Sequence, residues 1–396
     1  MKLLTIATGA GLLALASQTA YSASCSGDIK VTSQGDLESL STCKKYQGTI
    51  TVDHTAINKI SFTGVEALSG DLIIKDNDAL SSLDLGSLKI VDGQVKLENN
   101  KVMNKFSAKS LTGVRSFEIA VHPALSTLAF SAGLDQADRF IVSDTTTTRI
   151  DGLKFSKVSE LVIDNNIYLK SVDFGNMTEV SSSLKVSANS PSLNLDLKNI
   201  KKLKDAAFRN LAGVALDSLK QVSGDISFIS NTFGELSLPE ISDVAGTLTI
   251  TSNSQLSKLG LPKLQRLGGA LSVGNNNNLA TIDAFPKLEE VDGTLDITGN
   301  FDEVQLPKLA DVRGGLNVQT SSSKFSCNDM SKLKNGVIKG NSFMCKAAVA
   351  KPKSGMTGKG GVGGSGFDDS SASSISMQLG TIIFGAMSMA GTYLLL

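Results

Sequence analysis

The chain has 396 residues, with 38 Lys and Arg against 38 Asp and Glu, and only two His, four Tyr and no Trp. This balance leaves no concentrated basic face for nucleic acid, and the small stock of imidazole and large aromatic groups argues against an enzyme or a base-stacking module. The length is ample for a large core or an extended array.

The first segment reads as a secretory signal: Lys2, an apolar run over 3–16, then Ala20-Tyr21-Ser22 with small residues at the two positions a signal peptidase reads. Cleavage is expected after Ser22, so the mature chain starts at Ala23. Four cysteines follow in two pairs, Cys25 with Cys43 and Cys327 with Cys345, each pair eighteen residues apart. Secretion favours disulfides. Three connectivities exist, and local pairing closes two short loops, each worth ~3 kcal/mol in the chain-entropy model. A zinc site would want closer spacing and His partners; no metal or cofactor is expected.

Between the cysteine pairs the pattern G-x-φ-x-φ-x-x-N (φ apolar) recurs. Gly70 leads to Asn77, Gly93 to Asn100, Ser159 to Asn166, Ser182 to Asn189, Gly224 to Asn231, Gly246 to Asn253, Gly269 to Asn276 and Gly293 to Asn300. Looser copies begin at Gly27, Gly48, Arg115, Asp138, near Lys204 and at Gly314, giving fourteen starts 20 to 24 residues apart. A fixed period of this size signals a solenoid. The alternation Leu72-x-Ile74 or Leu248-x-Ile250 marks a short strand with those side chains inward. A second apolar set follows, such as Leu256, Leu259, Leu261, Leu264 and Leu267, broken by Pro239, Pro262, Pro286 or Pro307 in four coils; there it prevents a long helix and forces an irregular return path. The Gly before each strand is expected to allow a tight or left-handed backbone. Stacked coils bury jointly what one coil cannot, their strands pairing in parallel.

The Asn that recurs at this position in eight coils reads as an internal ladder whose amides satisfy backbone groups at the bend. Thr55, His122, Thr145 and Ser321 occupy the same slot elsewhere, so His122 is expected to be a structural substitute. Open solenoid ends expose core and strand edges, so 23–48 is expected to form the N-terminal cap with its first coil, and 325–346 the C-terminal cap. The domain expectation is signal 1–22, solenoid 23–346, flexible Gly/Ser/Lys stalk 347–369 and removed propeptide 370–396. The last part rests on a Gly/Ser-rich stretch over 355–374 followed by the uncharged run 379–396, after which no basic residue follows. Small residues, a polar spacer and an apolar tail form a GPI-anchor signal; a tail-anchored helix would want flanking positive charge. Asp369 is the expected attachment residue, with Asp368, Ser370 and Gly366 as alternatives.

The coils resemble the receptor L-domain type of leucine-rich solenoid. The whole arrangement resembles the fungal GPI-anchored cell-wall-organisation proteins, including the extracellular-mutant and sporulation-specific leucine-rich surface proteins. The resemblance spans the chain and is carried most clearly by Leu256-x-x-Leu259-x-Leu261-Pro262-x-Leu264-x-x-Leu267-x-Gly269 and by Val304-x-Leu306-Pro307-x-Leu309-x-x-Val312-x-Gly314. It implies a mainly β, right-handed parallel solenoid of about fourteen coils with disulfide caps, and a surface glycoprotein needed for wall integrity without established catalysis. One departure stands out: Asn176-Met177-Thr178 is the single N-glycosylation sequon, since Pro191 fills the hydroxyl position after Asn189.

Catalytic signals are lacking. Gly358-x-Gly360-x-x-Gly363 matches a dinucleotide fingerprint but has no strand before it. The adjacent pairs Glu289-Glu290 and Asp368-Asp369 would point to opposite faces of a strand, and Asp296 finds no evident carboxylate partner for glycoside hydrolysis. Outward strand positions are instead small and polar. Thr249, Thr251, Ser272, Asp296 and Thr298 form the candidate binding face, which suits a non-catalytic wall-organising protein or, as the alternative, a lectin-like binder of β-glucan or chitin. The expected partners are the plasma membrane through the GPI lipid, and wall glucan or mannoprotein, with no nucleic acid. The expected location is the outer face of the plasma membrane, the wall, or both.

Overall fold

In the computed structural model, residues 24–354 are described. They form a parallel β-solenoid, and we number its coils by the strands of its principal ladder. Coil 1 carries Ile29–Val31 and coil 2 Ile50–Asp53; coils 10 to 12 carry Ile226–Ile229, Leu248–Thr251 and Leu271–Gly274; coils 13 and 14 carry Leu295–Gly299 and Leu316–Thr320. Thirteen turns therefore separate fourteen such strands, and each strand pairs in parallel with the next without exception. A fifteenth rung, Phe343–Lys346, comes from the C-terminal cap and pairs with coil 14, Val318 opposite Cys345. The sequence had placed the cap there but not its strand.

Each coil has three sides. A second short strand precedes the principal one, as in Asp243–Val244, Arg266–Leu267 and Glu290–Val291. In the middle of the solenoid it merges with the principal strand into single long strands such as Ile90–Glu98 and Gly113–His122. The third side carries brief pairings such as Glu235–Ser237 with Lys258–Gly260. Pro262 follows that side in the turn closed by Leu264 N–H to Leu261 C=O at 3.2 Å, the turn position that proline's fixed φ favours.

The alternation read from the sequence sets the core. Leu248, Ile250, Leu271, Val273, Leu295 and Ile297 are all buried, and the apolar residues of every coil join one continuous cluster. Phenylalanines thicken it in the middle, with Phe117 stacked on Phe140 at 5.5 Å and Phe208 on Phe228 at 5.2 Å. Both local disulfides are present, Cys25–Cys43 and Cys327–Cys345, with Cα separations of 5.6 and 5.9 Å. The N-terminal cap adds a short helix, α1 (Gln34–Ser39), started by a Ser33–Asp36 capping box and burying Leu37. The C-terminal cap adds α2 (Asn328–Leu333), which buries Met330.

The glycines before the strands act differently from the expectation. Gly27, Gly48 and Gly70 have positive φ, but Gly93, Gly224, Gly246, Gly269, Gly293 and Gly314 do not. These glycines stack in a column so tight that a Cβ on Gly269 would lie 2.5 Å from the carbonyl carbon of Gly246, and one on Gly314 2.4 Å from the Gly293 oxygen. Close backbone approach, and not handedness, selects Gly there. The left-handed residue sits instead at the far end of the strand, just before the ladder slot: Asp76, Asn99, Asp144, Asn165, Ser252 and Asn275 all have φ between 53° and 58°. Asn and Asp tolerate that region best among residues with a side chain, which explains their frequency at this corner.

Candidate functional site

The ladder itself is structural. Asn253 Oδ1 accepts from the backbone N–H and the Nδ2 of Asn231 at 3.0 and 2.9 Å, while its own Nδ2 donates to Phe228 C=O at 3.0 Å and to Asn276 Oδ1 at 3.1 Å. Asn77, Asn100, Asn166, Asn189 and Asn276 are likewise buried. His122 occupies its slot fully buried, 3.2 Å from Asn100 Nδ2. Burial pushes its pKa down from 6.5 to about 4. Its Nδ1 makes no well-formed hydrogen bond, the Ala120 carbonyl being near enough only to offset part of the burial cost. Asn300 and Ser321 depart from the expectation: both are exposed, Ser321 Oγ donating to Asn300 Oδ1 at 3.0 Å. In coils 13 and 14 the strand runs on, Gly299 pairing with Thr320, and Gly299 has φ 147° in place of the usual corner value. Without the left-handed corner the pleat carries residue 300 outward, and the ladder ends at Asn276.

The outward face of the principal ladder divides into three zones. Coils 4 to 8 carry paired charges: Lys96 lies between Glu98 at 3.0 Å and Glu118 at 3.7 Å, Arg139 meets Glu160 at 2.6 Å, and Lys185 meets Asp164 at 2.8 Å. Coils 10 to 12 present Ser227, Ile229, Thr249, Thr251 and Ser272, all half-exposed and uncharged. Coils 13 and 14 are different again. Asp296, Thr298, Asn317 and Gln319 point outward by register, yet they are 9, 3, 1 and 8% exposed. Residues 347–354, expected to begin a free stalk, cross this zone as a strap: Asn317 Nδ2 and Gln319 Nε2 donate to Lys353 C=O at 3.0 and 3.1 Å, and Ser354 Oγ donates to Asp296 Oδ2. Of the five residues in the candidate face, Thr249, Thr251 and Ser272 are therefore accessible, whereas Asp296 and Thr298 lie in the covered zone. Strand alternation gave their direction; a tail folding back two coils left no periodic signal.

No arrangement for acid–base chemistry emerges among these groups. Asp296 is bonded to Asn317 Nδ2 at 2.7 Å as well as to Ser354, and Glu290 lies 3.4 Å from the Arg266 guanidinium. An open cavity of about 420 Å³ on the third side is lined by Glu235, Lys258, Leu259, Asn278, Thr281 and Asp283. Lys44 and Lys89 flank Glu66 at 2.6 and 2.7 Å and pull its pKa down to about 2, an exposed arrangement of small energetic weight. One cluster the sequence reading missed is Asp53, His54 and Asp76, whose donor atoms lie within 4.8 Å of one another. His54 is largely exposed and hydrogen-bonded to Asp53, and Asn99 Nδ2 donates to Asp76 Oδ1 at 2.6 Å, so the group is already linked internally on an open corner. Asn176 is exposed beside Gly175. No described helix is long and apolar enough to cross a membrane. The signal segment, the fingerprint-like glycines, and Gly366, Asp368, Asp369 and Ser370 lie outside the described residues.

Comparison with known proteins assigns the family. No family model and no solved structure matches the chain. Curated relatives do, over most of their length. A cell surface GPI-anchored protein of Arthroderma benhamiae is 32% identical over 342 residues, 86% of this chain and 88% of the relative. Cell wall protein ecm33 of Schizosaccharomyces pombe is 32% identical over 345 residues, 86% of this chain and 80% of the relative. Sporulation-specific protein 2 of Saccharomyces cerevisiae is 28% identical over 311 residues, 78% of this chain and 62% of the relative. None of these names describes an enzyme. With its coil repeat and disulfide caps in place, the chain belongs to the Ecm33-type family of fungal GPI-anchored cell-surface and cell-wall proteins.

Proposed function

We propose that this protein organises the cell wall without catalysis, its rigid solenoid presenting a broad polar face to wall glucan or mannoprotein. The observation that carries the reading is the uncharged window of coils 10 to 12, where Ser227, Thr249, Thr251 and Ser272 offer hydroxyl groups at regular rung spacing between two differently built zones. Such a surface holds an extended ligand by many weak bonds, each worth ~1 kcal/mol. It has no aromatic platform, so binding by ring stacking is not part of this reading. GPI attachment at Asp369, or at Asp368, Ser370 or Gly366, belongs to the same proposal, as does glycosylation at Asn176.

The test is rescue of wall integrity in a strain lacking the protein, with display measured in parallel. Changing Thr249, Thr251 and Ser272 together to Lys should abolish rescue while leaving display unchanged, and each single alanine change should reduce it little. Full rescue by the triple variant, or turnover of wall oligosaccharides by the purified ectodomain, would overturn the proposal. A pull-down on insoluble wall glucan and on mannoprotein extract separates the two partners.

A further inference from the structure

The strap shows what chemistry the outward face can recognise. Gln319 uses both ends of its amide on one residue: Nε2 donates to Lys353 C=O at 3.1 Å and Oε1 accepts from Lys353 N–H at 3.4 Å. Asn317 Nδ2 reaches the same carbonyl at 3.0 Å. These amides are held ready by one another, Gln319 Nε2 on Asn317 Oδ1 at 2.8 Å and Asn317 Nδ2 on Asp296 Oδ1 at 2.7 Å. Upstream, Val349 N–H donates to Thr320 C=O at 2.9 Å and Ala348 N–H to Ser322 C=O at 3.1 Å. Nearly every bond is made to the main chain of the strap. The Lys353 side chain takes part in none of them, and Ser354 Oγ is the single side-chain contact among these hydrogen bonds.

We propose that the outward face of coils 13 and 14 is a binding site for polypeptide main chain, filled in this protein by residues 347–354, which bend at Ala348 (φ 55°), and open to exchange with a segment of a partner protein. This goes beyond the wall-organising reading, which concerns coils 10 to 12, and does not depend on it. Side-chain amides that pair with one residue's N–H and C=O imitate a neighbouring strand, so recognition tolerates many sequences. The tethered strap competes at an effective concentration of order millimolar. A partner segment overcomes this by continuing over Ser272, Thr251 and Thr249, half-exposed residues on the adjoining rungs, each added hydrogen bond being worth roughly fivefold in affinity.

The experiment uses the ectodomain and a fluorescent peptide with the sequence of residues 347–354. In a variant that ends at Lys346 and so lacks the strap, the peptide should bind at least tenfold more tightly than to the unaltered ectodomain. Adding Asn317→Ala and Gln319→Ala to that variant should lose at least tenfold, with the thermal melt unchanged. A peptide of shuffled sequence should bind within threefold, and polyproline, which has no N–H, should not bind. No binding to the shortened variant, or equal binding to both proteins, would overturn the proposal. So would displacement of the peptide by a soluble β-glucan oligosaccharide, which would mark a glycan site. Amide exchange on the unaltered ectodomain gives an independent measure: Val349 should be protected, and Asn317→Ala with Gln319→Ala should cut that protection at least tenfold. Exchange of Val349 at the rate of an unstructured chain would refute the docked strap.

Discussion

Coils 11 and 12 differ from coil 13 in a way that one motif hides. Asn253, Asn276 and Asn300 end the same repeat seven residues after a Gly, yet the first two are buried ladder members and the third faces solvent. What differs is the residue before: Ser252 and Asn275 turn through φ 58° and 53°, whereas Gly299 keeps the strand going at 147°. A single backbone conformation therefore decides whether an amide is core or surface. The same change coincides with the covered outer face, since coils 13 and 14 carry their polar residues beneath the strap.

The sharpest way to break this comparison is Asn253→Ala. It strips partners from the Asn231 amide groups, from Phe228 C=O and from Asn276 Oδ1, and should cost about 4 kcal/mol, seen as a lower urea midpoint and local loss of exchange protection. Next comes acid. His122 is held neutral when folded, its pKa lowered from 6.5 to about 4, so its contribution is complete above pH 6.5 and is lost as pH falls towards 4. The loss approaches ~3 kcal/mol below that. His122→Asn should restore a ladder amide and flatten that part of the pH dependence; an unchanged difference between pH 7 and pH 4 melts would contradict the assignment. Gly269→Ala should cost about 2 kcal/mol through overpacking, because its Cβ would lie 2.5 to 2.7 Å from the backbone of Gly246 and Thr247. Gly260→Ala is its control, with nothing within 4 Å of the new methyl group. The smallest effect belongs to Asn300→Ala, within about 0.5 kcal/mol, and a loss as large as that of Asn253→Ala would erase the distinction drawn between these coils.

Most of the fold was legible because its period was. Leu248-x-Ile250 and its sister strands fixed the inward rows, Asn253 and its like fixed the bend, and the eighteen-residue cysteine spacings marked both caps. What escaped was non-periodic or steric. The role of Gly269 depends on the backbone of the coil below, which no single repeat reveals. Asp225 accepts from Thr247 N–H at 2.7 Å, a clamp between coils that reads in the sequence as one more surface acid. Thr249 and Ser272 face outward and are half-exposed, whereas Asp296 is bonded by Ser354, 58 positions away, and Thr298 on the same strand is buried.

The Asn ladder has a further consequence, visible in its direction. The slot-to-slot bonds share one direction, Asn77 to Asn100, Asn166 to Asn189, and Asn231 through Asn253 to Asn276, and polarise one another. A second bond returns to a C=O of the preceding coil, as from Asn77 to Val52 and from Asn253 to Phe228. The line is cut twice, after His122, whose Nδ1 is left unmatched, and at Leu211, which has no amide to receive Asn189. Three polarised runs result: Thr55 to His122, Thr145 to Asn189, and Leu211 to Asn276. Within a run, losing one member weakens its neighbours; across a cut it does not. The side-chain ladder is thus in three parts, while strand pairing and the apolar core run on through both cuts.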